Sequence, residues 1–272
     1  MERNRQEISE LIFQKLEKNK ANLQEQFLKK KNTIPFFFID DLLPVNLGKE
    51  IYKNFPKLIE TVQKKNFREY KNVAYQMDKY SPLLEEVLYA FQEPNVVKII
   101  SEICNLEDVY PDEFLYAGGL SLMAKNNFLS PHLDNSHDKE RNRWRVLNLL
   151  YYVTPEWKLE NGGNLELWQN GLNNGQTILV SDFNRLVVMA THQKSWHSVS
   201  KNTVNSTRCC VSNYYFSSQP FLPSDKFHIT TFRGRSNEKI KDVLLQIDNN
   251  LRSFLRTFFT KGVRKNPHQY KK

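Results

Sequence analysis

Four short apolar runs, separated by turn-forming residues, constrain what this chain can fold into. Residues 146–153 (Val-Leu-Asn-Leu-Leu-Tyr-Tyr-Val), 165–168 (Leu-Glu-Leu-Trp), 177–180 (Thr-Ile-Leu-Val) and 185–190 (Arg-Leu-Val-Val-Met-Ala) are broken by Asn, Gly, Pro and Asp, as in Glu160-Asn-Gly-Gly-Asn164. Short β-prone runs punctuated in this way are the pattern of an all-β sandwich or barrel. Helical spacing lies outside this stretch. Ile8, Leu11, Ile12 and Leu16 predict one or two helices within 4–31, with a frayed start. Residues 34–40 read as a strand, 41–46 as the cap of a helix over about 46–55, and 82–105 as two short helices. Ile240, Leu244, Ile247, Leu251, Phe254, Leu255 and Phe258 keep helical spacing across 237–260, predicting a core-facing helix; a dimerisation helix, its stripe left exposed, is the alternative. The fold class expected is mainly β with flanking helices (α+β).

Length and composition suit one globular protein: 272 residues, 40% hydrophobic and 25% charged, with no repeat. No run of 18 apolar residues occurs and the first thirty residues are charged, which predicts a cytoplasmic protein without a membrane span. Cys104, Cys209 and Cys210 form no C-x2-C pair, so neither a disulfide framework nor a structural zinc site is expected. The net charge of +9 admits nucleic acid or an acidic substrate as partner. Many of these charges fall in the two terminal segments, among them the basic tail 261–272, so nucleic acid is not favoured.

The chemistry concentrates in three segments: Ser130-Pro-His132-Leu-Asp134, Ser195-Trp-His197-Ser-Val199 and Thr207-Arg208-Cys-Cys-Val-Ser212. On an extended chain His132 and Asp134 point to the same side, and a later strand can bring His197 beside them. Two imidazoles and a carboxylate on one face of an octahedron leave three positions open, as in non-haem Fe(II) oxygenases. An H-x-D pair alone is common by chance, and the order of the other segments is what gives it weight.

In these residues the chain resembles the Fe(II)/2-oxoglutarate-dependent dioxygenases, in the branch similar to prolyl 4-hydroxylases. The matching blocks are His132-Leu-Asp134, residues 147–157 running into 161–168, Phe183-Asn-Arg-Leu-Val-Val188, His197-Ser-Val199 and Arg208. The likeness covers about 115–218 and is looser back to about 35. It implies a double-stranded β-helix core (jelly-roll, cupin-like) over 34–220, buttressed by helices, with a helical extension at 1–33 and a C-terminal helix and basic tail at 221–272 packed on the same domain. It implies Fe(II) held by His132, Asp134 and His197, with 2-oxoglutarate and O2 as co-substrates and ascorbate as an accessory reductant. Arg208, eleven residues after His197, is then the anchor for the far carboxylate of 2-oxoglutarate, a role that suits a planar, permanently charged guanidinium. The reaction implied is hydroxylation of an unactivated C–H bond in a peptidyl proline, an amino acid or a small metabolite. The same chemistry on a nucleic-acid base or anionic saccharide, and a silent barrel that only binds, are the alternatives.

Two departures stand out. Where such proteins carry a tyrosine about ten residues before the H-x-D pair, this chain has Leu122 and Met123, leaving Tyr116, Tyr151 or Tyr152 to supply the second bond to the co-substrate. Cys210 replaces the serine two residues after the basic anchor, and should share its pocket. Of the other histidines, His137 reads as a rim or solvated residue, His192 as a weak competitor for His197, and His228 and His268 as structural or surface residues. Arg141, Arg143 and Arg145 would share one strand face opposite a core Trp144, as a positive entrance or a solvated edge.

Overall fold

All four apolar runs form strands, and neighbours that the alternation pattern misses extend them into one curled antiparallel sheet. In the computed structural model, which describes residues 4–258 and Tyr270, the chain opens with α1 (Arg5–Leu28), β1 (Phe36–Ile39) and α2 (Val45–Lys53). A hairpin of β2 (Val62–Lys65) and β3 (Glu69–Ala74) follows, then α3 (Pro82–Ala90), α4 (Pro94–Cys104) and β4 (Val109–Pro111). The core strands are β5 (Gly119–Met123), β6 (Phe128–Leu133), β7 (Trp144–Tyr152), β8 (Leu165–Leu167), β9 (Thr177–Leu179), β10 (Arg185–Ala190), β11 (His197–Val199) and β12 (Arg208–Ser217). A two-residue strand β13 (Thr231–Phe232) and helix α5 (Lys239–Phe258) complete it.

The strand order is β1-β10-β7-β12-β5-β3-β6-β11-β8-β9, with β2 beside β3, β4 beside β12 and β13 beside β6. Residues of β3, β5, β7 and β12 and residues of β6, β8, β11 and β13 line one shared cavity, so the sheet curls into the squashed barrel of a double-stranded β-helix. Parity along the strands sorts the side chains. On β7, Leu147, Leu149 and Tyr151 join a core beneath α1, α3 and α4, whereas Tyr152 packs inside the barrel with Leu165, Leu167, Val187 and Cys210.

Helix α1 is one continuous helix, started by Asn4, whose side chain accepts a hydrogen bond from the Glu7 amide. Its buried stripe Ile8, Ile12, Leu16, Leu23 and Phe27 packs against α3, α4 and β1, and each such side chain contributes roughly 1.5–3 kcal/mol by leaving water. The cap of α2 falls within 41–46 as predicted, at Pro44 and without a side-chain bond, and Asp41 adopts a left-handed turn at φ 53°. The 82–105 stretch gives α3 and α4, each with proline in its first turn.

Helix α5 forms where expected but not facing the core. Ile240, Leu244, Ile247, Leu251 and Phe254 are exposed, while Leu245 and Asn249 turn inward. The reason is that this helix is moored by polar contacts. Asp242 takes two bonds from Arg233 and one from the Gly234 amide, and Asn249 bonds both backbone groups of Phe232. Phe258's side chain, the frayed start before Asn4, His268 and the basic tail apart from Tyr270 lie outside the described residues. No helix among the described residues is long and apolar enough to cross a membrane. Cys104, Cys209 and Cys210 are free, buried thiols.

Candidate active site

Strand pairing brings the distant segments together. His132 near the end of β6 is directly opposite His197 at the start of β11, with ring centroids 4.1 Å apart, and Asp134 follows one residue beyond β6. Both Nε2 atoms lie 3.5 Å from a carboxylate oxygen of Asp134. Donors at right angles around a shared ion about 2.1 Å away would be about 3 Å apart, so this spacing suits a single metal.

The imidazoles are oriented from behind. His132 Nδ1 lies 3.0 Å from the Ser130 carbonyl and His197 Nδ1 lies 2.9 Å from the Ser195 carbonyl. A carbonyl only accepts, so each Nδ1 carries the proton and each Nε2 turns a lone pair toward the cavity. Burial lowers the pKa of His132, His197 lowers it further, and Asp134 only partly opposes them. Burial works against an ionised Asp134, but Arg145, the largest opposing influence, helps hold the carboxyl well below the usual range. The group is therefore a carboxylate flanked by imidazole lone pairs. These three residues alone, among those described, bring three metal-ligating side chains together.

Asn148, which the sequence does not single out, and Arg145, read there as part of a positive entrance, complete this cluster. Asn148 Nδ2 donates to Asp134 Oδ2 at 2.6 Å, and Arg145 Nη1 lies 3.2 Å from the same oxygen while its guanidinium covers the Tyr214 ring. By parity Arg145 and Asn148 should face opposite ways. They share the cavity because the pairing of β7 with β12 slips between Tyr215 and Phe216, which sit opposite Leu147 and Arg145 and leave Val146 as an extra residue. The three arginines do not share a face, because β7 begins only at Trp144 and leaves Arg141 and Arg143 in the preceding loop. Arg141 lies in a left-handed turn, Arg143 stacks on Tyr110 at 3.7 Å, and only Arg145 enters the site. Trp144 is half-buried against Phe227 rather than enclosed in the core. On the other side Phe232 of β13 stacks on His132 at 5.4 Å.

The cavity measures about 600 Å³. Arg208, Cys210 and Tyr152 line it, as do Ser121 and Met123 at the positions paired with Cys210 and Arg208. Arg208 Nη2 reaches the Ser121 hydroxyl at 3.3 Å and its guanidinium lies 5.3 Å from the Tyr152 ring centroid. The nearby turn brings Gly163 against Arg208, and a Cβ on Gly162 would stand 1.9 Å from the Lys201 carbonyl, so no side chain fits there. Tyr151 is excluded from the cavity, since its hydroxyl bonds Asn184 within the core. Leu122 is core as well.

Buried polar atoms are normally paired. Among the described residues eight side-chain atoms are buried without a partner, and four of them, Arg145 Nε, Asn148 Oδ1, Tyr152 Oη and Arg208 Nε, belong to cavity residues. That concentration fits a polar ligand. His137 is buried in the cavity wall, not solvated, and His192 packs on Phe221 away from the cluster with its pKa lowered by burial to about 4. His228 serves a structural role, exchanging backbone bonds with Ser136.

Comparison with known proteins agrees with this geometry. The family model described as the 2OG-Fe(II) oxygenase superfamily matches residues 118–216. None of the curated proteins matches the chain by sequence. Among solved structures, a prolyl hydroxylase from Trichoplax adhaerens, in complex with a hypoxia inducible factor peptide fragment, is 18% identical with a TM-score of 0.55, covering 78% of this chain and 96% of that one. A prolyl 4-hydroxylase from Phytophthora capsici is 15% identical with a TM-score of 0.55, covering 96% and 81%. HygX from Streptomyces hygroscopicus, with nickel and 2-oxoglutarate bound, is 13% identical with a TM-score of 0.50, covering 71% and 86%. Such identities speak for a shared fold, and the family match falls on the stretch that carries the histidines, Asp134 and Arg208. Residues 118–216 thus match the 2OG-Fe(II) oxygenase superfamily, and the chain around them shares the fold of 2-oxoglutarate-dependent Fe(II) oxygenases.

Proposed function

We propose that His132, Asp134 and His197 hold the ferrous ion, that Arg208 and Tyr152 bind the far carboxylate of 2-oxoglutarate, and that the cavity hydroxylates an unactivated C–H bond. The observation that carries this reading is the convergence of a three-donor cluster with unpartnered Arg208 and Tyr152 atoms in one buried cavity. The bound ion and co-substrate supply the oxidant: O2 and 2-oxoglutarate give succinate and CO2, and the remaining oxygen atom enters the substrate C–H bond.

The protein's part is position and environment. Arg208 offers a fixed guanidinium to a carboxylate, and Tyr152, whose buried hydroxyl has no hydrogen-bond partner among the described residues, adds a second donor. Asn148 and Arg145 fix the Asp134 carboxylate by holding one of its oxygens. Met123, Leu129, Leu150, Leu165 and Val199 wall the site with apolar groups, which limits water around the reacting centre. Cys210 shares the pocket of Arg208, but burial raises its thiol pKa and it stays neutral.

A peptide, amino acid or small metabolite is the substrate class we favour, supported by the peptide held by the Trichoplax enzyme. Three buried thiols without a disulfide suit a reducing cytoplasm. The exposed residues Ile240, Leu244, Ile247, Leu251 and Phe254 of α5 recur at alternating spacings of four and three, the seam that a second helix of the same kind fills, and we assign them to a second copy of this chain.

The test is succinate formation from 2-oxoglutarate by anaerobically prepared, Fe(II)-loaded protein after admitting O2. Turnover that disappears in Asp134→Ala and His197→Ala supports the reading. Equal turnover in those variants refutes it.

A further inference from the structure

Five cationic side chains line the cavity, and three have carboxylate partners: Lys71 with Glu69 at 3.0 Å, Arg145 with Asp134 at 3.2 Å, and Arg252 with Asp248 at 2.9 Å. Arg208 and Lys64 make no ion pair among the described residues. Arg208 is accounted for by the co-substrate. Lys64 is not.

Its setting makes the surplus charge unusual. Lys64 on β2 is directly opposite Lys71 on β3, and both line the cavity beside Glu69. Like charges directly opposite across strands repel, and a surface hairpin normally separates them. Here two ammonium groups share one carboxylate on a half-buried face. Burial depresses the Lys64 pKa and Lys71 depresses it further, with Glu69 only partly opposing them, so the one carboxylate does not fully compensate both ammonium groups. Lys64, Glu69 and Lys71 line the same cavity as His132 and Asp134, so this face of the hairpin belongs to the metal cavity and not to a distant surface. The hairpin is held in place from the other side of the mouth, where Asp248 of α5 is bound by both Arg68 and Arg252. Local rules are broken where function requires it, and an arriving anion would relieve this breach.

We propose that Lys64, supported by Lys71, is a second anion seat of the cavity, and that the substrate carries a phosphate or carboxylate group that binds there while its reacting carbon faces the metal. The inference rests on the reading of the site as a metal and 2-oxoglutarate centre, and it narrows the substrate class to anionic compounds.

Protein loaded with Ni(II) and 2-oxoglutarate, which cannot turn over, is titrated with inorganic phosphate by calorimetry, and with acetate in a parallel arm to tell phosphate from carboxylate. Lys64→Met should weaken the preferred anion by about tenfold or more, the loss of one charge-assisted bond, and Lys64→Arg should restore most of it. The same anion should raise the melting temperature of the wild type but not of Lys64→Met. Absence of anion binding by the wild type, or equal affinity in Lys64→Met, overturns the proposal. A matching loss of 2-oxoglutarate affinity in Lys64→Met also overturns it, because Lys64 would then serve the co-substrate. Failure of the Ni(II)-loaded wild type to bind 2-oxoglutarate at all would instead break the underlying functional reading.

Discussion

Replacing Arg145 with methionine separates the metal's share of Asp134 from the protein's own. The pair is 3.2 Å long, and its side chains are 3% and 17% exposed, so the attraction is about 5 kcal/mol before desolvation at an effective dielectric of about 20. Breaking a buried pair by removing one partner costs about 3–5 kcal/mol, and the partial exposure of Asp134 puts this one near 3. In metal-free protein that corresponds to a fall in Tm of about 6–10 °C. A bound divalent cation compensates Asp134 in place of the guanidinium, leaving mainly the lost packing over Tyr214, worth about 1 kcal/mol. The loss should therefore shrink to about 2–4 °C in saturating Mn(II). Linkage then requires that Arg145→Met bind the metal more tightly than wild type, by about 2 kcal/mol or thirtyfold. Thermal unfolding in chelator and in Mn(II), for both proteins, measures all four corners. An equal Tm loss with and without metal would refute the reasoning, because Asp134 would then not be shared between guanidinium and cation.

Three further outcomes follow from the same contacts. Arg208→Met should raise the KM for 2-oxoglutarate by about 10- to 150-fold and Tyr152→Phe by about tenfold, read from initial rates of succinate formation; an unchanged KM in both would move the co-substrate elsewhere. His192 has a folded pKa of about 4 against 6.5 unfolded, so the unfolded chain takes up the proton first. Stability present above about pH 6.5 is lost as pH falls toward 4, by on the order of 3 kcal/mol, and His192→Phe should flatten that part of a denaturant-melt pH series. Leu251→Asp on the exposed seam of α5 should convert a dimer to monomer in sedimentation analysis without changing Tm by more than about 2 °C, since Leu251 is 58% exposed within one chain.

The His132, Asp134 and His197 cluster was legible because the period-2 geometry of a strand makes an H-x-D pair converge, and Arg208 because one strand register carries it and Cys210 into the same pocket. The contact of Arg145 with Asp134 was not. Alternation assigned it to a face with Arg141 and Arg143, and the slipped pairing around Val146 is a tertiary feature without a local signature. The β2–β3 hairpin escaped because its residues are polar and half exposed, with no apolar alternation to mark it. Phe232 lies on a strand of two residues, too short for any period, yet it covers His132. Periodicity located the apolar stripe of α5, but a stripe says only that one side is apolar. The polar moorings of Asp242 and Asn249 decided which side turned inward.

The most direct measurement is an anaerobic titration of the metal-free protein with Fe(II) and 2-oxoglutarate, following the visible charge-transfer absorption of ferrous iron with a bound 2-oxo acid. Saturable absorption in the wild type, lost in His132→Ala, Asp134→Ala and His197→Ala and requiring far more 2-oxoglutarate in Arg208→Met, is the predicted result. Absorption that persists in the alanine variants, or never develops in the wild type, contradicts the assignment of the centre.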